Sequence, residues 1–228
     1  MDFLKLLAQE RDASRKTRQV EDILGIASKP GPYTSFFDND IVYIENVFTD
    51  EAADRLWGVL SKQQFLQLSG RELLNIGGVP HPNGTILEEV PSWLEEVFRI
   101  VVATDAYGEM PNQALINGYS SGQGISAHQD GPNFKPQAAV LSLGSYATIC
   151  FMDNEKIVFE KSLAPKSMLV LRGVAYERWS HKVLPVKEQR ISITIRNVAN
   201  VDLGYKWFDK EEEMERRRIW WTNAISEK

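Results

Sequence analysis

Residues 115–119 read Leu-Ile-Asn-Gly-Tyr, and residues 125–132 read Ile-Ser-Ala-His-Gln-Asp-Gly-Pro. This pattern predicts two strands joined by a turn rich in Ser and Gly, with the second strand running through Asp130. Side chains in a strand alternate sides with period two, so His128 and Asp130 are expected on the same face. The stretch therefore predicts an imidazole and a carboxylate close enough to bind one metal ion.

The chain that follows this stretch carries the pattern of further strands. Short apolar or alternating runs, most of them separated by turn residues, occur at 139–143, 147–152, 157–161, 168–172 and 190–197. Several strands at this spacing are typical of a β-sandwich or barrel. Since helices are predicted before this region, the fold class expected is α+β with a mainly β core.

The chain that precedes the stretch mixes strands and helices. Strands are predicted at 41–44 and 65–68. Thr49 is expected to cap a helix that runs to about Lys62 and buries Leu56, Val59 and Leu60. Pro91 fits the first position of a second helix. Between the two helices, residues 77–84 read Gly-Gly-Val-Pro-His-Pro-Asn-Gly, which predicts a long turn or loop.

The sequence predicts three parts in order along the chain. Residues 2–25 are expected to be helical, and the Pro-Gly-Pro run at 30–32 breaks that helix. Residues 1–38 are therefore predicted to form a helical extension and linker, and residues 39–200 the main domain. Residues 201–228 are predicted to form a helical tail.

The composition is ordinary for a globular protein, and the cysteine content fits a reducing compartment. Cys150 is the single cysteine, so no intramolecular disulfide can form. The apolar N-terminal run is too short for a signal peptide or a membrane span. A formal net charge of −5 gives no global electrostatic footprint for nucleic acid. We expect a soluble monomer in the cytoplasm or nucleus, with no membrane partner.

A His-x-Asp pair is by itself a weak signal, because a loop histidine hydrogen-bonded to a nearby carboxylate is the commoner case. His181, which follows the strand at 168–172 and a short polar connection, is a candidate third ligand from a distant strand. Two histidines and one carboxylate make the facial triad that binds non-haem Fe(II) and leaves coordination positions open. A structural zinc site would more often use cysteines, and this chain has one.

Residues 190–196 read Arg-Ile-Ser-Ile-Thr-Ile-Arg, a strict alternation. The isoleucines fall on one face, and the opposite face carries Arg190, Ser192, Thr194 and Arg196. Two interpretations are open: an outer strand with a solvated polar face, or a strand that lines a barrel and holds an anion. Guanidinium groups bind carboxylates bidentately, and hydroxyls add donors. In the second interpretation Arg190 lies on the strand beside His181 and reaches the co-ligand of the metal.

The chain resembles the AlkB family of Fe(II)- and 2-oxoglutarate-dependent dioxygenases. The resemblance rests on four motifs in order: Asn117-x-Tyr119, His128-x-Asp130, the distal His181 and the arginines of 190–196. The resemblance is closer to the homologue-six subgroup of that family, on the segments 67–71, 77–82, 128–132 and 169–173. It covers about residues 40–198. It implies a double-stranded β-helix, or jelly roll, with flanking N-terminal and C-terminal helices.

The resemblance implies iron bound by His128, Asp130 and His181, with 2-oxoglutarate and O2 as cosubstrates. Arg190 would pair with the distal carboxylate of 2-oxoglutarate, and Arg196 would lie near the carboxylate beside the metal. The other implied or candidate cosubstrate residues are Leu115, Asn117, Tyr119, Ser192 and Thr194.

The implied reaction is oxidative demethylation or hydroxylation of an alkylated substrate, with nucleic acid as the class that the resemblance favours. 2-Oxoglutarate becomes succinate, and a hydroxylated N-methyl group leaves as formaldehyde. The segment before the barrel is implied to form a substrate lid, where Gln67, Arg71 and His81 are candidates. A loop histidine such as His81 is more often structural.

The sequence departs from the family pattern in the segment that follows the His-x-Asp pair. Gly131, Pro132 and Asn133 stand where some members carry an acidic residue that contacts the damaged base. Two alternatives therefore stay open. One is a protein hydroxylase or demethylase that uses the same site, which the negative net charge favours. The other is a non-catalytic binding module that retains the barrel.

Overall fold

The computed structural model describes residues 31–81, 84–199 and 201 of the 228-residue chain, except for the side chains of residues 79–81. The helix predicted at 2–25 and the helical tail predicted at 201–228 lie outside these residues, apart from residue 201. In the part of the chain that is described, no helix is long and apolar enough to cross a membrane.

The described residues form strands and three helices. The helices are α1 Asp50–Leu60, α2 Ser92–Ala103 and α3 Gly173–Glu177. In chain order the strands are β1 Tyr33–Phe36, β2 Ile41–Ile44, β3 Leu66–Gln67, β4 Glu72–Ile76, β5 Gly78–His81, β6 Gly84–Leu87, β7 Gln113–Tyr119, β8 Ile125–His128, β9 Gln137–Gly144, β10 Ala147–Asp153, β11 Lys156–Leu163, β12 Met168–Arg172, β13 Ser180–Val183 and β14 Arg190–Arg196.

Two antiparallel sheets make up the β core. The large sheet has eight strands in the order β1-β2-β12-β9-β14-β7-β4-β3, and the small sheet has four in the order β11-β10-β13-β8. Strands β5 and β6 pair only with each other among the described strands. Two such sheets are the halves of a jelly roll, in agreement with the predicted double-stranded β-helix.

The apolar residues lie in two main layers. Ile191, Ile193 and Ile195 of β14 belong to a cluster in which α1 and α2 cover the outer face of the large sheet. A second cluster lies between the sheets and joins residues such as Leu169 of β12 to Phe151 of β10. Because β14 buries its isoleucines on the helix side, its polar side chains face the barrel interior.

The helix predictions hold with small corrections. Thr49 caps α1, and its Oγ1 accepts a hydrogen bond of 3.1 Å from the Ala52 amide. Leu56 and Leu60 are buried as predicted. Val59 is half-buried, because the buried face of α1 follows Ala52, Leu56 and Leu60 and Val59 lies to one side of it. Pro91 occupies the cap of α2 rather than its first helical position.

The prediction that residues 77–84 form a long turn or loop is wrong. Residues 78–81 pair with 84–87 in an antiparallel hairpin, with Pro80 opposite Thr85. A two-stranded ribbon tolerates proline because one edge of each strand needs no ladder hydrogen bond. Gly77 turns the chain from β4 into this hairpin with a φ of 93°, a conformation that favours glycine.

The predicted boundary at residue 38 falls between β1 and β2. β1 lies within the segment predicted as extension and linker, yet it pairs with β2 along its whole length, from Tyr33 opposite Ile44 to Phe36 opposite Ile41. The linker prediction rested on Pro and Gly at 30–32, and the strand begins directly after them.

Candidate metal centre

The two candidate histidines lie opposite each other on neighbouring strands. His128 ends β8, His181 lies in β13, and the antiparallel register pairs the two residues directly. Their ring centroids are 4.4 Å apart. On its other side His181 faces Phe151 of β10, whose ring centroid is 6.0 Å away. The small sheet therefore brings together two imidazoles that are 53 residues apart in the sequence.

Asp130 reaches the same place by a different route from the one predicted. β8 ends at His128, so Asp130 lies in the following loop and not on the strand face. Gln129 turns aside to donate to the Arg178 carbonyl at 2.7 Å. The loop then crosses to the large sheet, where the Lys135 amide donates to the Asn197 carbonyl at 2.8 Å. This crossing directs the Asp130 carboxylate back toward the histidines.

The three side chains form a compact ligand set. One donor atom from each of His128, Asp130 and His181 lies within 4.8 Å of the others. Two ligands of one ion, each about 2.1 Å from it, stand at most about 4.2 Å apart, so a small contraction suffices. Nδ1 of His128 lies 2.9 Å from the Ser126 carbonyl, and a proton on Nδ1 leaves Nε2 free as the ligand atom.

Burial keeps both imidazoles in the neutral form that a metal requires. Desolvation, reinforced by the nearby His128, lowers the pKa of His181 to about 4. Desolvation also lowers the pKa of His128, although the Ser126 carbonyl opposes this shift. Neutral rings present lone pairs near pH 7, so proton release does not limit metal binding there.

Arg196 holds the carboxylate of the set. Its Nη2 lies 3.0 Å from Oδ1 of Asp130, and both side chains are nearly buried. The guanidinium also lies over the ring of Phe134, 4.5 Å from the centroid. Asp130 has two oxygens, so one can pair with Arg196 while the other binds a metal.

The polar face of β14 lines the barrel, which decides between the two interpretations of residues 190–196. The register places Arg190 opposite Tyr119, Ser192 opposite Asn117 and Thr194 opposite Leu115. All six candidate cosubstrate residues named here therefore share the inner face of the large sheet. One prediction needs correction: Arg190 does not lie on the strand beside His181, because β13 belongs to the small sheet, across the barrel from β14.

Arg190 has buried donors that a bound anion would satisfy. The residue is 0% exposed, and its Nη2 donates to Ser142 Oγ at 3.0 Å. Its Nε and Nη1 are buried without a hydrogen-bond partner among the described residues, as is Nε of Arg196. Buried charged donors are costly unless paired, and a carboxylate would satisfy two of them at once. These residues thus fit a metal together with a dicarboxylate ligand.

The three substrate candidates separate in the structure. Gln67 pairs with Glu72 and donates to its Oε1 at 2.9 Å, on the outer face of the large sheet and away from the histidines. Arg71 points inward, and its Nε donates to Oδ1 of Asn117 at 2.9 Å. His81 lies in β5, and its side chain is outside the described residues.

Sequence reasoning missed three contacts of the site: Arg71 with Asn117, Ser142 with Arg190, and Phe134 with Arg196. The Ser142 contact follows from the pairing of β14 with β9, which places Ser142 opposite Ser192. The strand order reveals the Ser142 contact, whereas Phe134 lies in the loop between β8 and β9. The sequence shows the alternation within β9, but it does not show that β14 is the strand that pairs with β9.

Comparisons with known proteins agree with this geometry. The 2OG-Fe(II) oxygenase superfamily profile matches residues 61–222. The "Probable RNA/DNA demethylase ALKBH6" of Danio rerio is 32% identical over 198 residues, which are 80% of this chain and 83% of that protein. The "tRNA (carboxymethyluridine(34)-5-O)-methyltransferase ALKBH8" of Mus musculus is 32% identical over 112 residues, 49% of this chain and 15% of its own.

Solved structures share the fold at low sequence identity. OsALKBH1 superposes with a TM-score of 0.56 at 16% identity, over 73% of this chain and 100% of that one. An oxidoreductase of the 2OG-Fe(II) oxygenase family from Burkholderia pseudomallei gives 0.53 at 15% identity, over 71% and 87%. The predicted jelly roll is thereby confirmed.

Proposed function

Because the chain belongs to the 2OG-Fe(II) oxygenase superfamily and, within it, to the AlkB family, we propose that it removes methyl groups oxidatively from nucleic acid. The chain is a non-haem iron dioxygenase that uses Fe(II), 2-oxoglutarate and O2. The printed name of the Danio rerio relative, a probable RNA/DNA demethylase, supports nucleic acid as the substrate class.

One observation carries the assignment of the site. The His128, Asp130 and His181 ligand set belongs to the same barrel interior as Arg190, a buried guanidinium with two unpaired donors. A facial triad suits Fe(II), and the unpaired donors suit a carboxylate of 2-oxoglutarate. When bound, iron and 2-oxoglutarate supply the oxidation of a substrate C–H bond by O2.

The protein's own groups orient these partners. Arg196 neutralises one oxygen of Asp130 and restrains its position. With its Nδ1 proton donated to the Ser126 carbonyl, His128 would bind the metal through Nε2. Phe151 covers His181 from the core side, and the apolar cluster around it keeps water from that side of the ligands. Arg190, which donates to Ser142, would bind a carboxylate of the cosubstrate and so orient it.

A second candidate is hydroxylation or demethylation of a protein. The formal net charge of −5 favours it, because an acidic chain has no general attraction for phosphates. The segment after Asp130 also favours a protein substrate, because it supplies no carboxylate beside the metal ligands: its residues are Gly131, Pro132 and Asn133. Either substrate is compatible with the cytoplasm or nucleus, where we propose that the protein acts as a monomer.

A substrate panel tests the proposal. The full chain is incubated with Fe(II) and 2-oxoglutarate, and with methylated RNA, methylated DNA or methyl-lysine peptides. Succinate and formaldehyde are measured, and each substrate is weighed by mass spectrometry. We expect loss of methyl groups from an oligonucleotide and none with His128→Ala. Demethylation of peptides alone would overturn the nucleic acid proposal and support the second candidate.

A further inference from the structure

Arg71 reaches into the barrel from the turn between β3 and β4. The Leu68 amide donates to the Arg71 carbonyl at 2.9 Å and closes this turn. β4 pairs with β7 so that Leu73 lies opposite Asn117. Arg71, two residues earlier, therefore falls on the same inner face, and its Nε donates to Asn117 Oδ1 at 2.9 Å.

This contact decides which way the Asn117 amide points. Arginine carries donors and no acceptor, so only the amide oxygen of Asn117 can face it. The NH2 group then lies on the opposite side of the planar amide. β14 lies there, with Ser192 opposite Asn117 on the polar inner face. The oxygens of a dicarboxylate require donors, and a reversed amide would present an oxygen to them instead.

We propose that Arg71 is a positioning residue, which fixes the Asn117 amide with its donor toward 2-oxoglutarate and so couples the β3–β4 turn to cosubstrate binding. This inference rests on the proposed function, because it requires 2-oxoglutarate in the barrel.

The surroundings of Arg71 support a role inside the site. The side chain is half-buried, unlike that of a surface arginine. A Cβ on Gly70 would lie 3.4 Å from the Gly124 carbonyl, so the turn packs against the entry to β8.

Two matched substitutions separate the hydrogen bond from the charge. In Arg71→Gln the amide nitrogen stands at the chain position of Nε, so the donor stays and the charge is lost. In Arg71→Met a methyl group stands at that position, so both are lost. Binding of 2-oxoglutarate to the full chain loaded with Mn(II), which does not support turnover, is measured by calorimetry.

We expect Arg71→Met to raise the Kd for 2-oxoglutarate about 3- to 10-fold, the effect of one hydrogen bond. Arg71→Gln stays within about twofold of the wild type. In turnover assays Arg71→Met raises the KM for 2-oxoglutarate by the same factor and leaves kcat within about twofold. Adding Arg71→Met to Asn117→Ala has no further effect, because the residue acts through Asn117.

Other outcomes overturn the proposal. Equal losses in Arg71→Gln and Arg71→Met would show that charge matters and amide orientation does not. An unchanged Kd in Arg71→Met would remove Arg71 from cosubstrate binding altogether. Asn117→Asp provides a test in which Arg71 is intact: it keeps the acceptor but loses the donor, so tight binding by this variant would also overturn the proposal. Failure of the wild type to bind 2-oxoglutarate would overturn the proposed function itself.

Discussion

Replacing Arg190 with methionine should remove cosubstrate binding without harming the fold. The guanidinium is completely buried, and two of its nitrogens have no partner among the described residues. Exchanging a poorly satisfied buried charge for an apolar side chain of similar length is often neutral or stabilising by about 1–4 kcal/mol. The ligand-free Arg190→Met protein should therefore unfold at the wild-type temperature or above it.

The same substitution should cost most of the affinity for 2-oxoglutarate. Removing one partner of a buried charge pair costs about 2–5 kcal/mol, which is roughly a 30- to 4,000-fold increase in Kd. A ligand at 100 times its Kd adds about 2.7 kcal/mol to the free energy of unfolding. For a chain of this size that is an increase of about 5–11 °C in Tm.

Thermal unfolding with Mn(II), with and without 2-oxoglutarate, measures both effects. The wild type should show the increase in Tm, and Arg190→Met should not. Arg99→Met on α2 is the matched control, since it removes an exposed arginine paired with Glu95 and should keep the increase. A lower Tm for ligand-free Arg190→Met, together with a retained response to 2-oxoglutarate, would refute this reasoning.

Three further substitutions, the last with Thr194→Ala as its control, test separate parts of the structure. His128→Ala removes a ligand of the set and should abolish the Mn(II)-dependent increase in Tm, with little change in the metal-free protein; a retained increase would place the metal elsewhere. Arg196→Met leaves the buried carboxylate of Asp130 unpaired and should lower the free energy of unfolding by about 3–5 kcal/mol in a chelator, measured by urea unfolding. Mn(II) should increase the free energy of unfolding of this variant more than that of the wild type. Equal increases would contradict the inference that Asp130 pairs with Arg196 through one oxygen and binds the metal through the other. Ile193→Ala opens a cavity in the fully buried layer beneath α1 and α2 and should cost about 2–5 kcal/mol while 2-oxoglutarate affinity stays within a few-fold, whereas Thr194→Ala on the inner face should show a smaller loss of stability.

The strand pattern was predictable where one strand shows a clean alternation. Residues 190–196 divide into an isoleucine face and a polar face, and the structure buries both, the first under helices and the second inside the barrel. The sequence could not choose between a solvated polar face and a lining one, because that choice depends on the small sheet that covers it. The family resemblance, not the alternation, favoured the correct choice.

The sequence predicted the three residues of the ligand set, but part of the reasoning for Asp130 was wrong. Period two was expected to bring His128 and Asp130 to one strand face, but the strand ends at His128 and the loop makes the approach. A sequence pattern records spacing but not the point at which a strand stops pairing. The pairing of β8 with β13, which brings His181 opposite His128, is a long-range contact that spacing alone does not reveal.

The sequence did not predict the hairpin at 78–87 or the short helix α3, for two different reasons. Gly, Pro and Asn are residues of turns, so a strand pair built partly from them carries no apolar alternation. The five-residue helix α3 is too short for a periodic pattern, although it buries Ala175 and Tyr176 in the cluster between the sheets. Arg71 belongs with these cases, since its place in the site depends on the register of β4 with β7.

The most direct test is a crystal structure of the full chain with Mn(II) and 2-oxoglutarate, with the metal located by anomalous scattering. The structure described here predicts one metal bound by His128, Asp130 and His181, with a carboxylate of 2-oxoglutarate paired with Arg190. A metal bound by other residues, or a cosubstrate carboxylate that does not contact Arg190, would contradict the central claim.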